Sequence, residues 1–251
     1  MANPYFVGAG PAAYDAITAF PASIAVSDST PANVATGDRV LLFVTTFANL
    51  GATTTCPTPS GWTLVDSRAT TDPVRGHVGM YVFTARWTSA ATGATVSPTI
   101  TTSASAYSWR LQTAAWRPSK AVGDTAILAA GRFNDNTTGI FGAISNSYGT
   151  NGSMQIAAQI TRSGTLTGTG PTSVGGLTLE LDQAAITDRG GAFRMADQLV
   201  TSNVSISGGQ TWARTGTTNS YTQSIGWHGF LDAPSDDPAL GTGWSVGRIK
   251  Y

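Results

Sequence analysis

The stretch Gly79-Met80-Tyr81-Val82-Phe83-Thr84-Ala85-Arg86-Trp87 decides the fold class. Tyr81, Phe83, Ala85 and Trp87 recur at a spacing of two, so they share one face of an extended strand. Aromatic and β-branched residues fill the segment, which suits a pleated surface. The same habit runs outward in both directions. Val40 to Thr46 is an apolar strand opened by Gly37-Asp38, and Tyr107 to Trp116 puts Trp109, Leu111, Thr113 and Ala115 on one face. No segment has a helical period; Asp182 to Arg189 offers at most one short turn.

Composition agrees. The 251 residues include 29 glycines, one glutamate (Glu180) and two lysines (Lys120 and Lys250). Glu and Lys favour exposed helix faces, so their near absence points to strands and turns. Charged residues make up 11% of the chain, against a usual share of about 25%. Ser, Thr, Asn and Gly are left to face water. Fourteen basic residues balance fourteen acidic ones, with no basic run. That argues against nucleic acid as a partner, because neutralising phosphates needs clustered Lys and Arg.

Cys56 is the sole cysteine, so neither an internal disulfide nor a Cys-based metal site is available. Folding in a reducing cytoplasm is expected. Met1 to Pro11 lacks the charge and apolar run of a signal peptide. No apolar run approaches the roughly 20 residues of a membrane span, so no membrane insertion is expected.

The strands recur. Gly37-Asp38 and its strand are followed by Pro59-Ser60-Gly61-Trp62-Thr63-Leu64. At an offset of 115, Gly152-Ser153 opens Met154 to Ile160, and Gly175-Gly176-Leu177-Thr178-Leu179 follows. The aromatic strand from Gly79 finds its counterpart at Gly191-Ala192-Phe193-Arg194-Met195, offset by 112. The closing strand finds Tyr221, Gln223, Ile225, Trp227 and Gly229, offset by 114. Each copy closes at a proline, Pro118 or Pro234. One detail resists: at 115, Leu41 and Phe43 align with Ile156 and Ala158, whereas a one-residue shift aligns Val40, Leu42 and Val44 instead. A β-bulge is one way to reconcile them.

Copies of roughly 100 residues, with short strands between Gly/Pro/Asn/Asp turns, predict antiparallel sandwiches of jelly-roll or immunoglobulin-like type. The expected fold is therefore all-β: two tandem sandwiches with extended terminal arms. Residues 1–20 form an N-terminal arm and first strand, 21–120 copy 1, 121–235 copy 2, and 236–251 a C-terminal arm. Tyr5, Phe6, Trp244 and Tyr251 lie in the arms and are candidate assembly anchors, since aromatics supply contact area.

Chemistry is sparse. Gly243-Trp244-Ser245-Val246-Gly247 matches the nucleophile elbow G-x-S-x-G, but only Arg248 to Tyr251 follow it, leaving no place for the Asp and His. His77 and His228 stand alone, without zinc-ligand spacing. Asp66 and Asp182 would serve a glycosidase only by converging across a cleft. Asn134-Asp135-Asn136 and Asp236-Asp237 are oxygen-rich, yet such clusters more often cap turns than hold calcium. Gly8-x-Gly10 lacks the strand and helix of a dinucleotide fingerprint. Asn136-Thr137-Thr138 matches a glycosylation sequon without a secretory context. Trp62, Trp87, Trp109, Trp116 and Trp227 fall in strand patterns or beside them and are expected mostly in the core; an exposed subset would stack on sugar rings. No enzyme activity, cofactor or metal is expected.

The ordered pattern Gly37-Asp38-strand, Pro59-x-Gly61-Trp62-Thr63-Leu64-Val65, Gly79-aromatic strand and Ala114-Ala115-Trp116-Arg117 resembles a β domain recurring in virion proteins of tailed phages of the siphovirus type, frequent in phages of actinobacteria. The opening Met-Ala-Asn-Pro-Tyr-Phe-Val-Gly-Ala-Gly is similar too. The likeness covers residues 1–118 directly and 119–235 only through the repeat; copy 2 departs from it, with Leu177 in place of Trp and no Asp after Gly152. The resemblance implies a virion structural protein assembled in the host cytoplasm, a minor tail protein or a capsid-decorating head accessory protein. Its implied partners are other tail or capsid subunits and further copies of itself. A module reading a host surface glycan is the alternative. The motifs are structural, so they imply placement and assign no site.

Overall fold

The structure, a computed structural model, describes residues 4–17, 22–25, 28–29, 33–49, 51–72, 76–88, 95–96, 98–103, 107–117, 127–135, 140–141, 154–161, 165–167, 178–183, 192–200, 210–211, 213–215 and 224–231. Among them there is no helix, and every sheet is antiparallel. Copy 1 contains β1 (Tyr5–Ala9), β2 (Ala13–Ile17), β3 (Ala22–Ala25), β4 (Asp28–Ser29), β5 (Arg39–Ala48), β6 (Thr54–Thr55), β7 (Thr63–Asp72), β8 (Gly76–Arg86), β9 (Thr95–Val96), β10 (Thr99–Thr102) and β11 (Tyr107–Arg117). Copy 2 contains β12 (Ile127–Asp135), β13 (Ile140–Phe141), β14 (Met154–Thr161), β15 (Thr165–Thr167), β16 (Thr178–Gln183), β17 (Ala192–Leu199), β18 (Gln210–Thr211), β19 (Ala213–Thr215) and β20 (Ser224–Leu231).

The repeat is visible in the wiring. The large sheet of copy 1 runs β1-β11-β5-β8-β7, with β2 also on β11; that of copy 2 runs β12-β20-β14-β17-β16. Position for position, the two orders match. A bulge interrupts β7 between Leu64 and Asp66, and another interrupts β16 between Leu179 and Leu181. The bulged residues, Val65 and Glu180, are 115 apart.

The ladders correct two expected offsets. Thr46 pairs with Gly79 and Trp109, and Thr161 pairs with Ala192 and Ser224. Thr46 and Thr161 are 115 apart, Gly79 and Ala192 are 113 apart, and Trp109 and Ser224 are 115 apart. The expected values for the second and third were 112 and 114. A one-residue slip exchanges the faces of a strand. Trp109 and Leu111 accordingly lie in copy 1's own core, whereas Ile225 and Trp227 lie on the opposite sheet face.

The two candidate alignments of β5 are both real, one for each face. All ten residues of β5 are buried, as a strand covered on both sides must be. Val40, Leu42 and Val44 pack with Tyr81, Phe83 and Leu111 beneath Cys56, Val96 and Ile100 from the small-sheet side, so copy 1 is a two-layer sandwich. Leu41, Phe43 and Phe47 face the other way and pack against Ile156, Ala158, Ile160, Phe193 and Trp227 of copy 2. No bulge in β5 is needed. The two large sheets stack face to face around a shared core.

This contact has the form of a two-fold interface, in which each partner uses the same patch. On one flank β16 reaches β11: Gln183 Nε2 donates to Gln112 Oε1 at 3.0 Å, and Arg110 Nη2 donates to Gln183 Oε1. Beside them Trp116 Nε1 donates to Asp197 Oδ2 at 2.7 Å, and the Arg110 guanidinium lies 5.7 Å from the Phe193 ring centroid. On the other flank β7 reaches β12 and lies beside β20. There Arg68, the counterpart of Gln183, lines a crevice with Trp227, the counterpart of Gln112.

Turn chemistry explains the motifs. Trp62 N–H donates to Pro59 C=O at 3.1 Å, and Gly61 between them holds φ +80°, which a type II turn demands at its third position. Asp38 Oδ2 accepts from the Ala35 N–H, while its two oxygens clamp Arg117 at 2.9 and 3.0 Å. Arg117 also donates to the Tyr5 hydroxyl at 2.9 Å, its guanidinium 5.6 Å from that ring. Residues 5–9, within the expected N-terminal arm and first strand, are thus fixed as a strand on β11.

At the start of β8, Gly76 has φ +92°, and a Cβ there would sit 2.3 Å from the Ala48 carbonyl oxygen. Gly76→Ala is therefore expected to cost about 1–3 kcal/mol. Urea unfolding midpoints measure this; an unchanged midpoint would mean that the Ala48 carbonyl yields freely.

Candidate functional site

The outer face of each large sheet, turned away from the shared core, shows where the copies part company. In copy 1 one row across the sheet reads Tyr81, Val44, Leu111, and the next reads Phe83, Leu42, Thr113. The matching rows of copy 2 read Arg194, Gln159, Gly226 and Ala196, Ala157, His228. A third row replaces Ala85 and Val40 with Gln198 and Gln155. Apart from Thr113, the copy 1 residues are aromatic or aliphatic; their places in copy 2 hold amides, an arginine, a histidine and three small residues.

This polar face is not a solvated one. Gln155, Gln159 and His228 are 0% exposed, and Arg194 is buried too. Burying a polar group without a hydrogen bond costs about 1–3 kcal/mol. Arg194 meets that requirement through Asp182 on β16, with Nε to Oδ1 at 2.9 Å and Nη2 to Oδ2 at 2.5 Å. Gln159 does not: neither its amide nitrogen nor its amide oxygen has a hydrogen-bond partner. Burial pushes the His228 imidazolium down to about 4, so the ring is neutral near pH 7. The set is uncharged overall, and it combines donors with acceptors.

The residues singled out in the sequence fall elsewhere, apart from two. Asp182 belongs to this face as the partner of Arg194, and His228 lies at its centre. Asp66 sits on β7, on the opposite flank from Asp182, so the two carboxylates do not converge. His77 is buried at the start of β8 with Nδ1 3.1 Å from Thr71 Oγ1, and burial lowers its pKa. Cys56 is buried, its thiol pushed up to about 12, which leaves it unreactive. Trp62, Trp109, Trp116 and Trp227 are buried and offer no stacking surface. Phe6 packs on Trp116 with ring centroids 5.4 Å apart, while Tyr5 stays 47% exposed. Trp244, Tyr251, the Ser245 motif, Asn136 and Asp236-Asp237 lie outside the described residues, as do the side chains of Asn134 and Asp135.

Among the described residues no group of three or more His, Cys, Asp or Glu is placed to hold a metal ion. No helix there is long and apolar enough to cross a membrane. The crevice beside Arg68 and Trp227 measures about 10 Å³, room for at most one water.

The polar face escaped the sequence reading because Met-Gln-Ile-Ala-Ala-Gln-Ile-Thr alternates like a half-exposed strand. Setting Gln155, Ala157 and Gln159 beside Val40, Leu42 and Val44 is the signal that exposes the exchange. Comparison of the chain with protein-family models, with curated proteins and with solved structures finds no match.

Proposed function

We propose that this chain is a structural protein of a tailed-phage virion, a minor tail protein, that acts by assembling with other subunits and not by catalysis. One observation carries the reading. The large apolar side chains exposed among the described residues are Tyr5, Tyr14, Leu64 and Leu179, on β1, β2, β7 and β16. All four strands lie at margins of the two large sheets. Leu64 and Leu179 are equivalent positions, each 43% exposed. Sheet margins are where chains add to one another, and exposed apolar groups there favour lateral contact. The resemblance of the Gly37-Asp38 and Pro59-x-Gly61-Trp62 pattern to virion β domains points the same way.

The test is incorporation. Mass spectrometry of purified particles is expected to find the chain at a fixed copy number, a handful for the tail tip and hundreds for a head coat. Leu64→Asp with Leu179→Asp is expected to cut incorporation at least tenfold while circular dichroism stays native. Absence of the wild-type chain from purified particles defeats the proposal.

A further inference from the structure

We propose, resting on the assembly reading above, that the partner is a second copy of this chain: the β7 flank of one copy docks on the β16 flank of the next, so that copies join head to tail.

Three observations lead there. First, the two flanks are opposite and equivalent. Gln183 on β16 bonds to Arg110 and Gln112 on β11, and β11 lies on the far side of its sheet from β7. The pseudo-two-fold that stacks the large sheets therefore carries β7 into β16. A chain with such flanks is bivalent, because a contact through one leaves the other open.

Second, both flanks present apolar surface. Among the described residues β7 pairs only with β8, and β16 only with β17. Leu64 lies opposite Phe83 and Leu179 opposite Ala196, so both stand on the outer faces of their sheets. When the flanks meet, the two leucines fall on one side of the joint, and each covers the 43% exposed surface of the other. The bulges at Val65 and Glu180 break the edge ladders. That blocks simple sheet extension and leaves the contact to side chains.

Third, charge separates unlike flanks from like ones. Arg68 on β7 is exposed and Glu180 on β16 is half-buried, and neither has an ion-pair partner among the described residues. Asp66 accepts from the Ser67 N–H, and Asp182 is held by Arg194. Two β16 flanks together would confront Glu180 with its own copy, and two β7 flanks would confront Arg68 with its own. A β7 flank against a β16 flank brings the two opposite charges to one joint, which favours that pairing over the others. Such a heterologous joint repeats until it closes into a ring. Each joint is small and weak alone, and a closed set multiplies it.

Sedimentation velocity of the full chain, from about 10 μM to about 1 mM, reads the association. The wild type is expected to grow past a dimer, with a dissociation constant of roughly 0.5 mM or tighter per joint. Leu64→Asp and Leu179→Asp are each expected to stay monomeric alone, because each has lost one half of every joint. Mixed in equal amounts, they are expected to form a heterodimer and nothing larger, through the intact β16 flank of the first and the intact β7 flank of the second. Joints between like flanks would let each variant dimerise by itself. If either aspartate variant loses its native circular dichroism, Arg68→Glu and Glu180→Lys decide: each alone is expected to associate at least about threefold more weakly than the wild type, and their mixture to recover the loss. The proposal is overturned by a wild type that stays monomeric at about 1 mM, by a folded leucine variant that dimerises alone, or by a mixture that gains nothing over its components. A monomeric wild type that still enters particles gives the flanks to a different virion subunit and leaves the assembly reading standing. Absence from particles defeats that reading whatever the sedimentation shows.

Discussion

Phe43→Ala is expected to destabilise the whole chain by about 3–5 kcal/mol, the cost of emptying a large aromatic site in a close-packed core. Phe43 belongs to copy 1, but its ring centroid lies 5.7 Å from Phe193 and 5.8 Å from Trp227, both in copy 2. The cavity therefore opens in the layer that the two large sheets share. Both copies should lose stability together, so tryptophan fluorescence and far-ultraviolet circular dichroism should report one transition at a lower denaturant concentration. Leu64→Ala, on an exposed margin, should change stability by less than about 0.5 kcal/mol. If Phe43→Ala split the unfolding into two separate transitions, the shared core would not be the element that joins the copies.

Asp197→Asn is expected to stabilise the protein by about 2–4 kcal/mol at pH 8 and by almost nothing near pH 4. Burial lifts the Asp197 carboxyl from 3.8 to about 7, against the pull of the Trp116 N–H bond, and Glu180 adds a smaller push in the same direction as burial. Below pH 3.8 the group is neutral in folded and unfolded chains alike. As the pH climbs toward 7 and beyond, the folded chain must hold a charge that the unfolded chain carries at no penalty, and stability falls. An asparagine oxygen still accepts the Trp116 N–H but never ionises. His228 works in the opposite sense. Its unfolded form takes a proton near 6.5 and its folded form only near 4, so acid erodes stability across that window. The two groups offset each other in the wild-type chain, and the variant should show the bare histidine slope. Denaturant unfolding at pH 4, 6 and 8 measures this. An equal gain at all three values would mean that Asp197 is not the titrating group.

Much of the fold was legible because strands write their faces into the chain at period two. Tyr81, Phe83 and Ala85 declared one buried face, and Gly61 declared its turn. The unbroken run Arg39–Ala48 also carried a message: a strand without alternation is covered on both sides. Periodicity does not say what covers it, however. The second cover is the other copy's sheet, a pairing between residues more than a hundred positions apart that no local pattern encodes. For the same reason the expected offsets at β17 and β20 slipped by one residue. Similarity of composition tolerates that slip, and a hydrogen-bonded ladder does not.

The candidate site was less legible. Gln155 and Gln159 alternate with Ile156, Ala158 and Ile160, and alternation ordinarily means water on the polar side. His228 had no zinc-ligand spacing, and Asp182 had no visible reason to meet Arg194. Their common face emerges from three cross-strand pairings, which are tertiary information. The terminal aromatics were judged on composition alone, and composition did not separate Phe6, which packs against Trp116, from Tyr5, which keeps an open side.

The pseudo-two-fold stacking of the large sheets has one further consequence. A dimer of identical chains writes every substitution twice, so a polar residue introduced into one half must also enter the apolar core of the other. Joining the halves in one polypeptide lifts that constraint. One half can then serve as ballast, keeping Val44, Tyr81 and Leu111 where the architecture wants them, while its twin carries Gln159, Arg194 and Gly226 in the matching places.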